Sequence, residues 1–405
     1  MKKLNLIYIA LLSFGISNGQ QLEVLLEEAL SNNPTIQKFE LQHSIASEKV
    51  NELNTIPNTE FGIGYFASEP ETRTGAQRFK VSAKQMIPWF GTITARENYA
   101  SSLADTKYED IVIAKRKLVA SVSQSYYKLI TLKAKQNILQ DNIVLLNTYE
   151  TLALTSLEVG KASAVDVLRL QMRQNELEQL QQVLAQYYLA ELTAFNKHLN
   201  RDKAIVVDIT DKLTISVDSI SDTKKGLVLH PELIKYDKLF QSIEQSELLN
   251  KKNSKPMIGF GLDYIAVSER PSMSFNENGK DIVMPMVSVS IPIFNNKNKS
   301  ITKQNELKLQ EITFQKQERI NSLETTLDIA IKNRIAAQIS YNTQEKNIKQ
   351  AKNAEEILIK SYETGTINFN DVLDIQELQL KFQINQIESI QKYYIQSTII
   401  KYLTN

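Results

Sequence analysis

Few residues in this chain are equipped for covalent or metal chemistry. Its 405 residues include no cysteine, which removes thiolate nucleophiles, thiolate metal ligands, disulfides and a lipid-modified N-terminal Cys. The three histidines, His43, His198 and His230, are widely scattered. The sequence has no Ser-His-Asp set, no Gly-rich phosphate loop and no His cluster at metal spacing, so an enzyme is the least supported class and no cofactor is implied. What remains is a small set of acidic residues at two related places. Asp166 follows Gly160, and Asp371 follows Gly365 at the same distance, with Asp374 one turn further on. Ser163 with Asp166, and Asn368 with Asp371, have the N-cap and N3 spacing of a close relative of the capping box. Capping is one reading of both carboxylates. The other is electrostatic: in a symmetric ring of copies, like carboxylates gather around one axis and favour cations. Asp374 lies beyond the cap, and its alternative is a solvated helix face.

These segments belong to a set of landmarks that the chain carries twice. Leu157-Glu158-Val159-Gly160 with Asp166-Val167-Leu168-Arg169-Leu170-Gln171 parallels Tyr362-Glu363-Thr364-Gly365 with Asp371-Val372-Leu373-Asp374-Ile375-Gln376 at an offset of 205. Ile87-Pro88-Trp89-Phe90 parallels Ile291-Pro292-Ile293-Phe294 at 204, Asn33-Pro34 parallels His230-Pro231, and Pro57 parallels Pro256. A period of about 200 residues means a duplicated half, not a short-repeat solenoid. The halves read as 20–228 and 229–405. Each opens with a helix of about twenty residues at Pro34 or Pro231, where proline suits the first turn. Two strand-like segments follow, then a very long helix closed by Gly160 or Gly365 at a C′ position, then a long return helix. The hairpins read as about 92–200 and 300–403. At ~1.5 Å per residue the outgoing helices, 92–157 and 300–362, are about 90–100 Å long. Coiled-coil spacing runs through Val119, Val122, Tyr126 and Leu129, through Ile320, Leu323, Leu327 and Ala330, and through Leu373, Leu380, Ile387 and Tyr394. Only 12 Gly and 9 Pro in the whole chain agree with such long uninterrupted elements.

The strand-like segments are 59–67, 78–88, 257–266 and 283–292. Phe61, Ile63 and Tyr65 alternate with Glu60, Gly62 and Gly64. Phe79 and Val81 alternate with Lys80 and Ser82. Phe260 and Leu262 alternate with Gly259, Gly261 and Asp263, and Val287 and Val289 with Met286 and Ser288. Each segment has the length of a tilted membrane-spanning strand. A soluble sheet with one wet face alternates in the same way, but the context is export. Residues 1–19 read as a signal peptide, with Lys2 and Lys3, an apolar run over 4–16, and small Ser17 and Gly19 before the cut. No later stretch reaches ~18 apolar residues, so the mature chain is expected to cross a membrane only as β-structure. Four strands cannot close a barrel and open edges are not tolerated in lipid, so several copies must pool their strands, three giving twelve. Loops 68–77 and 267–282 are then expected outside, with the helices projecting the other way. Trp89, the only Trp, is either an interfacial anchor or a core residue where the strand ends.

With these landmarks in order, the chain resembles the TolC-type outer-membrane efflux channels along nearly its whole mature length. The resemblance rests on the Asn-Asn-Pro34 and His-Pro231 helix starts, the Ile-Pro-x-Phe strand endings and the paired tips. It implies a mainly α protomer with membrane β-structure, in which long antiparallel coiled-coil helices accompany four strands of a trimeric twelve-stranded barrel, in the cell outer membrane with a helical tunnel in the periplasm. It further implies a homotrimer in outer-membrane lipid, docked to a periplasmic membrane-fusion adaptor and an inner-membrane RND-type pump. Nucleic acid is not an expected partner, with 47 basic against 46 acidic residues. Gln85-Met86-Ile87-Pro88-Trp89-Phe90-Gly91-Thr92 looks most like the heavy-metal (CzcC/CusC-like) branch, whose cargo is a metal cation. Drug or solute export and type I secretion are the cargo alternatives, and a periplasmic adaptor or structural coiled coil the alternative classes. Carried over by motif, the periplasmic gate would comprise Asp166, Tyr362, Asp371 and Asp374, with Ile367 where the family often has a basic residue. The adaptor contact would comprise Gly160, Lys161, Gly365 and Thr366. Phe61, Ile63, Tyr65, Phe79, Val81, Phe260, Leu262, Val287 and Val289 are assigned to lipid.

Overall fold

A computed structural model describes residues 20–160, 163–208, 213–215, 223–272, 274–293, 296–364, 366–367 and 369–405. The signal-peptide reading of 1–19 lies outside the described residues. Among the described residues the elements follow in the order α1 (Gln20–Asn32), α2 (Pro34–Leu53), β1 (Glu60–Tyr65), β2 (Glu71–Thr72), β3 (Gly75–Ile87), α3 (Thr92–Glu158), α4 (Ala164–His198), α5 (Thr223–Val228), α6 (Pro231–Asn253), β4 (Met257–Ser268), β5 (Ile282–Ser290), α7 (Lys297–Glu363) and α8 (Phe369–Thr404). The long helices and the small sheet make this the fold class expected of a TolC-type protomer. Among the described residues, no helix is long and apolar enough to cross a membrane.

The chain forms two compact units, and neither coincides with a sequence repeat. One comprises residues 1–37, 113–230 and 321–405, and the other 38–112 and 231–320. Each therefore takes matching pieces from both halves, as expected when a duplicated sequence builds shared layers.

The first unit is helical. Asn33 caps α2, its Oδ1 accepting from the Thr35 N–H at 2.9 Å, with Pro34 in the first turn. Val122, Tyr126 and Leu129 of α3 are buried with Leu25, Ile36, Leu192 and Phe195, so the seven-residue stripe on α3 serves as a packing seam. A second core, nearer the helix tips, joins Leu139, Leu146 and Tyr149 of α3, Val167, Leu170 and Leu177 of α4, Tyr362 of α7, and Phe369, Val372 and Leu380 of α8. Polar pairs are set into it. Gln376 donates to Asn142 at 2.6 Å, and Asn142 donates to Gln383 at 3.2 Å. Buried polar groups of this kind carry a cost unless bonded, so they fix one helix register.

The second unit holds the sheet and the helical segments packed with it. Lys235 of α6 pairs with Asp110 of α3 at 2.6 Å, and Asn250 donates to the Asn298 carbonyl at 2.9 Å. The sheet is antiparallel in the order β1-β3-β4-β5. It differs from the expected four strands in its margins. β1 is shorter than 59–67, while β3 starts at Gly75 and β4 runs to Ser268. The short β2 pairs with the start of β3 within the stretch expected to be loop. Gly75 makes this extension possible. Its φ is +132°, and a Cβ there would fall 1.9 Å from the Ser268 carbonyl oxygen, an approach only glycine permits.

Candidate functional site

The hairpin tips carry the sequence-predicted acids on their helix starts and, beneath them, an aromatic cluster of Tyr362 with Phe369 and Tyr149, of which the pattern revealed only Tyr362. Gly160 ends the first outgoing helix with φ +73°, the left-handed turn expected at C′. Ser163 then starts α4 with a full capping box. Its side chain accepts from the Val165 N–H, and Asp166 accepts from the Ser163 N–H, both at 3.1 Å. Asp166 is half-buried and held in this cap, whereas Asp371 and Asp374 are exposed on the first turns of α8. At the second tip the Thr366 N–H donates to the Ser361 carbonyl at 3.0 Å, a bond spanning six residues of the kind that closes a Schellman end. Gly160 and Thr366 are exposed. Lys161, Gly365 and the Asn368 cap position lie outside the described residues.

Tyr362 is buried in the tip core, its ring 4.9 Å from that of Phe369 at a steep angle. Phe369 in turn meets Tyr149 of α3 edge-on at 5.8 Å. The Tyr362 hydroxyl has no hydrogen-bond partner among the described residues. The Tyr149 hydroxyl donates to the buried Glu355 carboxylate at 2.7 Å, joining α3 to α7. Burial, then the hydrogen bond and negative charge of Glu355, hold the Tyr149 hydroxyl well above the ordinary tyrosine range. Glu150, one residue on, behaves oppositely. Hydrogen bonds from Gln171 and Gln174 hold its carboxyl below the usual range.

Tyr149 and Glu355 escaped the sequence reading because their contact is long-range. A signal was nevertheless available: Glu150 and Glu355 stand at the same 205-residue offset as the tip motifs. The two repeats use the equivalent carboxylate differently, Glu150 accepting from glutamines of α4 and Glu355 from a tyrosine of α3.

On the sheet, register decides which side chains share a face. Ile63 pairs with Val81, Val81 with Tyr264, and Tyr264 with Val283. Phe61 pairs with Ala83, Ala83 with Leu262, and Leu262 with Pro285. Tyr65 pairs with Phe79, and Phe260 with Val287. Alternation therefore places Phe61, Ile63, Tyr65, Phe79, Val81, Phe260, Leu262, Val287 and Val289 on one face, all exposed, with Ile63 at 84%. The opposite face is mixed: small Gly62, Ser82 and Ser288 and charged Glu60, Lys80, Lys84 and Asp263 share it with Ile265, Ile282, Met86, Met284 and Met286. There Lys84 lies opposite Glu60, and Lys80 forms an ion pair with the fully buried Asp263. β1 and β5 are the edge strands. Where β3 ends, Trp89 is about one-third exposed, with Phe90 edge-on at 6.0 Å. Among the described residues, no group of three or more acidic or histidine side chains is arranged to hold a metal.

Against known proteins, residues 25–194 match the family described as Outer membrane efflux protein. No curated protein matches the chain. Solved structures match along almost the whole length. VceC, an outer membrane protein of Vibrio cholerae, is 16% identical with a TM-score of 0.76, over 95% of this chain and 96% of its own. CusC, solved for its folding and transmembrane channel formation, is 14% identical with a TM-score of 0.77, over 95% and 92%. The MtrE outer membrane channel of Neisseria gonorrhoeae, solved in its open state, is 15% identical with a TM-score of 0.74, over 95% and 89%. The fold is thus that of TolC-like channels. CusC and VceC fit equally well, so the fold does not single out a metal branch.

Proposed function

We propose that this chain belongs to the outer-membrane efflux family and forms a passive outer-membrane channel in a tripartite efflux system. The observation that carries the reading is the sheet. Its strand register gathers a largely apolar exposed face opposite a mixed face that holds the charged Glu60, Lys80, Lys84 and Asp263, with an edge strand on each side. Such a face is stable against lipid, and such edges are stable there only when closed. Three copies would supply twelve long strands, with the mixed face toward a wet lumen. The family match over 25–194 and the likeness to channel structures support the same reading. In it, the helical hairpins line a periplasmic tunnel, the tips carry the gate and meet a membrane-fusion adaptor, and an RND-type pump supplies the energy. Metal cations are the proposed cargo, on the Gln85–Thr92 segment.

Fractionation tests the class. The protein should appear in the outer membrane as a trimer that runs as such on a gel until heated, and should conduct ions in a planar bilayer. A soluble monomer would end the channel reading. Deleting the gene and scoring survival on copper, zinc, cobalt and antibiotics tests the cargo. Sensitivity to antibiotics alone would replace metal with drug.

A further inference from the structure

The two ends of the sheet carry different kinds of charge. At one end lie segments 68–77 and 267–282, where five acids stand against three bases. There the bases are engaged: Arg73 pairs with Glu277, Arg270 with Glu71 at 2.6 Å, and Lys280 with Glu277 at 3.6 Å. At the other end the strands meet their helices through segments 54–59, 87–96, 248–256 and 291–305. These hold six lysines, Arg96 and no acid. Hydrogen bonds hold the segments together. Asn250 of α6 donates to the Asn298 carbonyl of α7 at 2.9 Å, and Lys252 donates to the Phe90 carbonyl at 3.3 Å. The bordering acids have partners of their own: Glu247 accepts from Thr302 and Asn305, Glu306 pairs with Lys303 at 3.0 Å, and Glu52 of α2 pairs with Lys49 at 2.5 Å. Lys251, Lys255 and Lys299 are exposed, and their ammonium groups have no partner among the described residues.

Helix electrostatics explains only part of this pattern. Lys251 and Lys252 in the last turn of α6 suit its negative end. Lys297 and Lys299 instead open α7, whose first turn has no acid, and a carboxylate is the stabilising choice there. The place of these residues on the sheet supplies another reason. Ile87 pairs with Ile258 and Ile258 with Val289, the last paired row of the apolar face at this end. At ~3.4 Å per residue that face runs about 27 Å along β4, from Ile258 to Ala266, close to the height of the apolar band of an outer-membrane barrel. Phe90, Ile291 and Ile293 are exposed just past the row. The unpaired lysines thus border the apolar band at headgroup depth, where a long side chain lays its methylenes on apolar surface and its ammonium in the interface. We propose that Lys251, Lys255 and Lys299 form a collar that binds the phosphate of anionic phospholipids in the periplasmic leaflet. The collar rests on the outer-membrane channel reading and adds a lipid partner to it. Lysine clusters beside a membrane span attract anionic lipid, and each copy in the barrel repeats the collar.

Trp89, the only tryptophan, lies in the same set of segments and serves as the reporter. The full-length protein is placed in equal mixtures of phosphatidylcholine and phosphatidylglycerol with one of the two brominated, and quenching of Trp89 reads the lipid ratio beside it. W89F/I291W repeats the reading from a second, exposed position. At low salt phosphatidylglycerol should be enriched about fivefold, the ratio that one lysine contact supplies. Enrichment should fall to near parity in K251Q/K255Q/K299Q and in high salt, and persist in K251R/K255R/K299R. Parity at both reporters in otherwise unchanged protein, or enrichment that survives the glutamine variant, overturns the collar and leaves the channel reading standing. Enrichment abolished by inorganic phosphate at constant ionic strength assigns the lysines to free phosphate and overturns the lipid. No quenching of either reporter by either lipid places the sheet outside the bilayer and overturns both readings.

Discussion

At the scale of single residues, the tip core depends on a buried carboxylate with a phenol donating to it. Glu355 is nearly enclosed and accepts from Tyr149 at 2.7 Å. Tyr149→Phe keeps the ring against Phe369 but leaves the acceptor without that donor, a change that typically costs about 1–3 kcal/mol. The urea midpoint of Tyr149→Phe should fall accordingly, and Glu355→Gln, which preserves an acceptor, should lose less. Equal losses would mean that the carboxylate charge, and not merely an acceptor at position 355, is what the bond requires. The pH dependence follows from the direction of the Tyr149 shift. Its hydroxyl is held above the ordinary value of about 10, so its contribution is full below that value and is lost as pH rises above it. Tyr188 and Tyr341 are also raised by burial, so the parent protein should weaken in alkali and Tyr149→Phe should weaken less steeply. Parallel curves would remove Tyr149 from that account.

At the scale of elements, the strands and long helices were legible because each repeats one simple period. Two-residue alternation marked β1, β3, β4 and β5, three-four spacing marked α3 and α7, and a seven-residue step marked α8. What stayed hidden has local or long-range causes. β2 is two residues long and exists only because Gly75 lets β3 approach Ser268. α1 is a short helix directly after the stretch read as a signal peptide, and its partners on α3 and α4 are distant in sequence. The bulge between Gln77 and Phe79 leaves no mark in the alternation, yet it reverses the faces of β3, Gln77 pairing with Val267 and Phe79 with Ala266. Of the tip residues, Ser163 and Asp166 were legible as a cap, but the Tyr149–Glu355–Tyr362–Phe369 cluster needed three helices, α3, α7 and α8, to be placed first. The sheet makes a sharp prediction at this scale. Val289→Lys puts a charge on the apolar face, costing about 2–4 kcal/mol at mid-bilayer, and should reduce heat-modifiable trimer in the outer membrane. Met286→Lys, only three residues away on the other face, should assemble normally. The reverse result would shift the register of the whole lipid face by one residue.

At the scale of the whole molecule, threefold repetition would turn exposed side chains into rings, and the geometry now separates the candidates. Asp166 is half-buried and accepts the Ser163 N–H, so its charge already faces the first turn of α4. Asp371 and Asp374 are exposed one turn apart on α8, available to an aqueous axis. In the proposed trimer their removal takes away two stacked rings of carboxylate, where a narrow pore concentrates the field on a passing cation. The double variant Asp371→Ala with Asp374→Ala should therefore weaken divalent-cation block of single-channel current, by roughly tenfold if the rings supply ~1.4 kcal/mol of binding. Asp166→Ala should leave block unchanged and lower stability by about 0.5–1 kcal/mol, through loss of a negative charge at a helix start. Unchanged block in the double variant, with conductance intact, would show that the α8 carboxylates face solvent outside the pore. Loss of block in Asp166→Ala alone would transfer the ring from α8 to α4.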